Sequence, residues 1–240
     1  MPKQVAFAVM RRARRLLRPG AVVCGVWLLA FTAQAEPKPL GTWYAMSVIQ
    51  ATGLMTVTHY WSKEDLFRSV TVINGVPVIT LVNATTYTTI DGLNQVGLSI
   101  DRSPKAIAED AIRRRPFASE FEHLVSSGGE KVRMQAVGGA MTEVWRATDD
   151  EGQITVWVLA NEPRVPIRVE KFDRKTGNTG QLAYVNWLVD LPIPDAFFEP
   201  WEGLQLGHIT YEQYQRARIR GPVGPAPPLF SDLLNGKLAN

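Results

Sequence analysis

Cysteine is almost absent from this sequence of 240 residues, since the only one, Cys24, lies within the first 35. Residues 36–240 therefore cannot form disulfides or thiolate metal sites. The three histidines, His59, His123 and His208, do not have the spacing of metal ligands. Motifs such as His-Glu-x-x-His, Gly-x-Ser-x-Gly and a phosphate-binding glycine loop are also missing. We predict no catalytic residue, metal or cofactor, and expect a protein that is not an enzyme. A hydrolase whose carboxylates meet only in the folded chain stays an alternative.

Positive charge is scarce outside the N-terminus. Residues 1–35 hold six of the 26 basic residues and no acidic one. The remainder thus has 20 basic residues against 23 acidic ones, a net charge of −3. Because nucleic-acid binding needs a positive face, we predict no nucleic-acid partner.

The first 35 residues have the pattern of an export signal. A basic stretch, RRARRLLRP, precedes the apolar GAVVCGVWLLAFTAQA, which ends in the small-x-small pattern Ala33-Gln34-Ala35. The apolar run of about 13 to 15 residues is shorter than the roughly 20 that span a membrane. We predict a signal peptide over 1–35, cleavage after Ala35 and a periplasmic location. Arg14-Arg15 is a partial twin-arginine pattern, but the general secretory route fits better.

The rest of the chain reads mainly as short β-strands separated by turn residues. Asn74-Gly75 between two apolar runs predicts a tight hairpin, because both residues tolerate positive φ. Pro77 cannot donate to a ladder, which predicts an edge or bulged strand. Short connections indicate an antiparallel meander. The predicted strands are 42–50, 54–61, 65–73, 76–82, 85–90, 95–100, 131–137, 141–148, 153–160, 164–172 and 181–190.

One helical region interrupts these strands. Ser103 and Pro104 are suited to begin a helix, and Ser119 with Glu122 forms a capping-box pattern for a second one. The first helix is predicted to present one apolar face made of Ile107, Ala108, Ala111 and Ile112. The second is predicted to present Phe121, Leu124 and Val125. Residues 209–240 are predicted to form a short polar helix, the linker GPVGPAPP and a terminal turn docked on the body.

Alternation along the strands places apolar and polar residues on opposite faces of the sheet. The helical region is too short to cover the apolar face of about ten strands. A sandwich of two sheets is one solution, and a curled sheet around one or two short helices is the other. The curled sheet leaves an apolar cavity, although strand aromatics and methionines are also common in plain cores. The candidate cavity-lining residues are Tyr44, Met46, Val48, Met55, Val57, Trp61, Met134, Trp145, Ile167 and Trp187.

The stretches VWVLANEPRVPIRVEKFD and GQLAYVNWLVDLPIPDAFFEP resemble the closing strands of the LolA-like superfamily, and DLFRSVTVINGVPVITLVNATTYTTID resembles its early hairpin. The resemblance covers roughly residues 42–203 and implies an α+β, mainly β half-barrel over 36–208. The N-terminal helix usual in the family has no counterpart here. The resemblance implies a periplasmic carrier of lipid or lipoprotein acyl chains, with an inner- or outer-membrane partner protein and a monomeric state. The alternative is a non-catalytic envelope sensor that binds another protein.

Overall fold

The structure is a computed structural model that describes residues 41–51, 54–110 and 120–236. Twelve strands form one curled, open sheet in the order β12-β6-β5-β4-β3-β2-β1-β11-β10-β9-β8-β7. The strands are β1 (Trp43–Ala51), β2 (Leu54–Lys63), β3 (Leu66–Ile73), β4 (Val76–Val82), β5 (Thr86–Asp91), β6 (Val96–Asp101), β7 (Glu130–Val137), β8 (Ala140–Thr148), β9 (Gly152–Leu159), β10 (Pro166–Asp173), β11 (Thr179–Val189) and β12 (Gln205–Ile209).

Two antiparallel meanders make up the sheet. Strands β1–β6 form the first and β7–β11 the second, and pairing of β1 with β11 joins them. The predicted mainly-β half-barrel with short helices is therefore confirmed. One strand was not predicted: β12, which pairs in parallel with β6, a strand far earlier in the chain. Its sequence, QLGHI, is short and has no turn partner next to it, so local pattern did not reveal it.

The predicted hairpin at Asn74-Gly75 is confirmed. β3 ends at Ile73, β4 begins at Val76, and φ is 50° at Asn74 and 82° at Gly75. Positive φ at both central residues is the geometry of the turn that matches strand twist.

The prediction for Pro77 is wrong, because β4 lies in the interior of the sheet between β3 and β5. The carbonyl of Pro77 accepts from the amide of Gly92 at 2.8 Å, so the backbone there faces the β5 side. Pairing with β5 starts only at Val78. Pro77, which has no N–H, therefore lies just beyond the end of the β4–β5 ladder, where no donor is needed.

The helices are α1 (Pro104–Asp110), α2 (Glu120–Ser126), α3 (Tyr211–Arg218) and α4 (Ser231–Asn235). Side chains from α2, α3 and α4 form the main core with one face of the sheet, which we name the inner face. The sheet contributes Trp43, Ala45, Tyr60, Phe67, Val82, Tyr87, Ile100, Val156, Val158, Val169 and Tyr184, and the helices contribute Phe121, Leu124, Tyr214, Leu233 and Leu234.

The Ser103 cap is confirmed, since its hydroxyl accepts from the Ala106 amide at 3.0 Å. The predicted apolar face of α1 is wrong: Ile107 is 41% exposed and Ala108 is exposed, whereas Ala106 is buried. At the C-terminal end of α4, a Cβ on Gly236 would lie 3.1 Å from the Ala106 amide nitrogen and 2.8 Å from the Lys105 side chain, so glycine suits this close approach of α4 to α1. On α2, Phe121 and Leu124 are buried as predicted, but Val125 is 43% exposed. Ser119, Ala111 and Ile112 lie outside the described residues.

The opposite, outer face is covered in part by the chain between β11 and β12. A 3₁₀ turn at Asp195–Phe198 lies against β3, and Trp201 and Leu204 pack on Ile79, Leu81 and Ile90. The Arg68 guanidinium lies over the Phe197 ring at 4.3 Å and donates to the Phe197 carbonyl at 2.6 Å. Beyond this segment, the outer face of β1 and β2 has no helix on it among the described residues.

Candidate functional site

Six of the ten candidate cavity residues lie on the outer face. In the β1–β2 register, Tyr44 faces Trp61, Met46 faces His59, and Val48 faces Val57. The alternate positions of these strands belong to the core. The Tyr44 hydroxyl and His59 Nδ1 are 2.9 Å apart, and burial raises the pKa of Tyr44. Met55 ends this row and is 73% exposed. The six residues are Tyr44, Met46, Val48, Met55, Val57 and Trp61.

The other four candidates are placed differently. Trp145 and Trp187 pack against the inner core, and Met134 faces Glu143 on the inner side of β7. Ile167 is half-buried at an irregular position of β10. The ten residues therefore do not line one surface, and a ligand-contacting role for them stays a prediction.

In β1 and β2 the face with more hydrophobic residues is the outer one. The inner face looked less apolar in the sequence because it includes small hydroxyl residues. Ser47 donates to the Tyr60 hydroxyl at 2.9 Å, and the hydroxyls of Thr58 and Thr71 lie 2.9 Å apart. Paired hydroxyls can be buried at little cost. Hydrophobicity alone therefore does not tell which face of these strands packs against the core.

The inner face of β1–β6, which we call the closed half, is filled by residues 221–236, the C-terminal segment. The Phe230 ring lies 5.3 Å from that of Phe67 and 5.9 Å from that of Tyr60. Leu233 and Leu234 are 1% and 0% exposed. The closed half is thus part of the core and has a cover supplied by the end of the chain.

The inner face of β7 and β8, which we call the open end, has no such cover among the described residues. Met134 is 46% and Met141 52% exposed, and they lie on adjacent strands of one hairpin. Trp145 and Phe121 stand beside them with ring centroids 5.3 Å apart. The open end is therefore an apolar surface continuous with the core.

Three charged side chains lie within this surface. The Glu143 carboxylate pairs with Lys131 at 2.7 Å and with Arg164, and it accepts from the Trp145 indole at 3.0 Å. Burial raises the pKa of Glu143, but the hydrogen bonds from Lys131 and Trp145 and the charge of Arg164 together lower it below its ordinary value. Two cations share one carboxylate, so the cluster has a net charge of +1.

A shallow pocket of about 320 Å³ adjoins the open end at the C-terminus of α2. Ser127 and Gly128 line it from the helix end, and Val132, Arg146 and Ala147 line it from the strands. Val132 is itself 46% exposed. The pocket extends the apolar surface toward the end of the sheet.

Sequence reasoning included Met134 but missed Met141, Lys131, Glu143 and Arg164. A signal for Met141 existed: the turn at Gly138-Gly139 places Met141 opposite Ala136 and on the same side as Met134. In residues 41–51, 54–110 and 120–236 no group of three or more His, Cys, Asp or Glu has a metal-binding arrangement. None of the helices described is long and apolar enough to span a membrane.

No protein-family model matches the chain, and no curated protein matches it by sequence. Solved structures do match. An uncharacterised conserved protein from Thermus thermophilus aligns over 70% of this chain and 91% of its own, with a TM-score of 0.50 and 10% identity. The match to the MucA/MucB complex of Pseudomonas aeruginosa covers 70% of this chain and 58% of the matched chain, with a TM-score of 0.43 and 12% identity. The match to an outer membrane lipoprotein-sorting protein domain from Vibrio parahaemolyticus covers 67% of this chain and 90% of the matched chain, with a TM-score of 0.32 and 13% identity.

At these identities the likeness concerns the fold alone. The match to the Thermus thermophilus protein, with a TM-score of 0.50, shows that another protein has a similar fold. The resemblance to the LolA-like superfamily stays an expectation from the sequence.

Proposed function

We propose that this protein binds the acyl chains of a lipid or a lipid-modified protein in the cell envelope. The observation that carries the proposal is the open end, where no described residue covers part of the inner apolar face of a mainly-β half-barrel. Met134 and Met141 are half-exposed there, next to the rings of Trp145 and Phe121. The export signal predicted over 1–35 and the resemblance to the LolA-like superfamily support an envelope role.

The chemistry of the open end suits a flexible apolar chain. Methionine side chains are unbranched and polarisable, so they adapt to ligands of variable shape. Burial of apolar area would drive binding at roughly 25 cal/mol per Å² before ordering costs are subtracted. We propose that the acyl chain lies across Met134 and Met141 and enters the pocket beside Val132.

The charged cluster gives the ligand an orientation. Lys131 and Arg164 exceed Glu143 by one positive charge, and Lys131 is 42% exposed at its side chain. A lipid phosphate or carboxylate at this rim gains a charge-assisted hydrogen bond. We therefore propose that the polar group of the ligand lies beside Lys131, while its chain runs toward α2. A partner protein in the inner or outer membrane would donate or accept the ligand.

The first test is extraction of natively purified protein, residues 36–240, with organic solvent followed by mass spectrometry. A lipid in near-stoichiometric amount supports the proposal and names the ligand class. A clean extract, together with no uptake of a fluorescent fatty acid by the delipidated protein, would reject it.

A matched pair of variants locates the site. Met141→Asp places a charge in the open end and should weaken fatty-acid binding about tenfold, because a methionine contact contributes roughly 1.5 kcal/mol or more. Met55→Asp introduces the same charge at the exposed end of the outer row and should leave binding unchanged. Equal losses in both variants, or a loss only in Met55→Asp, would place the ligand elsewhere.

A further inference from the structure

The C-terminal segment contacts the closed half in the way a bound peptide contacts a groove. Side chains of the sheet hold its backbone: the Thr89 hydroxyl donates to the carbonyls of Ala226 and Pro227 at 3.2 and 3.3 Å. The Phe230 amide donates to the Tyr87 hydroxyl at 3.1 Å. These bonds recognise peptide groups rather than particular side chains.

Arg102 provides the second part of this recognition. Its side chain is 1% exposed, and its Nε donates to the Leu233 carbonyl at 2.7 Å. The adjacent amide of Ser103 donates to the Leu234 carbonyl at 3.0 Å. These two carbonyls at the end of the short helix α4 have no partner within the helix, and groups of the main body cap them.

Sequence specificity comes from a few apolar anchors. Phe230, Leu233 and Leu234 enter the core, whereas Ala226 is the single buried residue of the preceding stretch 221–229. That stretch contains GPVGPAPP, whose prolines have a restricted φ and so lose little conformational freedom on docking. The pattern is a proline-rich stretch that bends near Gly224, followed by one helical turn, with three apolar anchors.

We propose that the closed half is a peptide-binding groove, occupied here by the protein's own C-terminal segment, and that it accepts a peptide of the same pattern from a partner protein. The segment follows β12 and contains no strand, so it can leave without breaking any strand pair. The groove lies on β1–β6 and the open end on β7 and β8, so the peptide proposal does not require acyl-chain binding.

An acyl chain fits the groove less well than a peptide. The Tyr87 hydroxyl is buried and its pKa is raised by burial. The hydroxyl of Thr89, the guanidinium of Arg102 and the amide of Ser103 are buried as well. A hydrocarbon chain offers these groups no hydrogen-bond partner, and each buried group left unpaired opposes binding. A peptide satisfies all of them through its backbone.

The binding test uses a fluorescent peptide with the sequence of residues 221–240. In the wild-type chain the tethered segment competes at millimolar effective concentration and keeps the free peptide out. Leu233→Asp in the full chain weakens the tethered segment but leaves the groove intact. This variant should bind the peptide on the order of tenfold or more tighter than the wild type does. Leu93→Asp, at a position 67% exposed in the β5–β6 turn, is the matched control and should behave as wild type.

The outcomes are distinct. A folded Leu233→Asp variant that does not bind the peptide overturns the proposal, as does equal binding of a peptide that itself carries Asp at the Leu233 position. Uptake of a fatty acid instead of the peptide by this variant would assign the groove to lipid.

Hydrogen exchange of the unmodified chain decides the matter if Leu233→Asp does not fold. Under native conditions the amides of Phe230 and Leu233 should exchange through a local opening, faster than those of Thr80 and Thr89 in the central strands. Exchange of all four in a single global event would show that the segment is an integral part of the core, and the peptide proposal would fail.

Discussion

The closed half and the open end lie on the same face of the same sheet, yet among the described residues only the closed half has a cover. In the closed half, Leu234 is fully buried, and the strand residues beneath the C-terminal segment belong to the core. At the open end, Met134 and Met141 are about half exposed. The pairing of β7 with β8 has one register shift, between Lys131 and Arg133, whereas the pairs within β1–β6 have none. The difference comes from where the covering elements lie in the chain.

The comparison teaches that the helices covering the closed half come after its strands in the sequence. In the closed half, α3 contacts β6, α4 contacts β5, and α1 packs on α4; all three helices follow β6 in sequence. In the part of the chain that the structure describes, strands β8–β10 pack mainly against α2, a helix of seven residues. A helix of that length spans about 10 Å, which is too short to cover three strands and their neighbour β7. The described residues thus leave an apolar surface exposed, and it is the surface where we propose that ligand binds.

The largest expected effect concerns matched truncations in the two regions. Leu234→Ala should lower the free energy of unfolding by about 2–5 kcal/mol, because it leaves a cavity in the core. Met141→Ala should change it by less than about 0.5 kcal/mol, because the side chain is half exposed. Denaturant unfolding measures both. Similar losses for the two variants would mean that the open end is covered in solution.

A smaller effect is expected at the polar anchor of the closed half. Arg102→Met removes the bonds to the Leu233 and Asn83 carbonyls and leaves Asp110 without its partner. We expect a loss of about 2–3 kcal/mol, with faster hydrogen exchange in residues 226–234. Arg218→Met, at an exposed position of α3, is the control and should have little effect. Unchanged exchange in the C-terminal segment would show that Arg102 does not hold it.

The smallest effect is expected at the charged cluster of the open end. The pKa of Glu143 is lowered in the folded protein, so its contribution to stability is present above the ordinary glutamate pKa and is lost as the pH falls through the lower folded value. Glu143→Gln should therefore flatten the stability profile below about pH 4 and leave Met141 exposure unchanged. Urea unfolding at a series of pH values measures this. A profile identical to wild type would show that the pairing with Lys131 and Arg164 is not stabilising.

Local pattern predicted much of the backbone. Alternation and turn residues located eleven of the twelve strands, and Asn74-Gly75 predicted its hairpin correctly. Ser103 predicted the start of α1. Each of these depends on residues close together in the chain, where propensity and hydrogen-bonding geometry act directly.

The candidate site was much harder to predict. Tyr44, Met46 and Val48 alternate with Trp43, Ala45 and Ser47, and both sets contain an aromatic residue. Which set faces inward depends on what lies opposite, including the hydroxyls of Tyr60 and Thr71 on neighbouring strands. The pairing of β12 with β6 and the close approach of Gly236 to Ala106 likewise depend on residues more than a hundred positions away.

The sequence by itself determined the class of the fold, the turns and most strand positions, because these follow from short-range backbone preferences. Only the tertiary structure decided which face is the core, that the C-terminal segment fills the closed half, and that Met141, Lys131, Glu143 and Arg164 meet at the open end. Those outcomes depend on long-range packing. In a packed core, a hydroxyl group that has a hydrogen-bond partner can be buried just as an apolar side chain can. Hydrophobicity along a strand cannot distinguish the two.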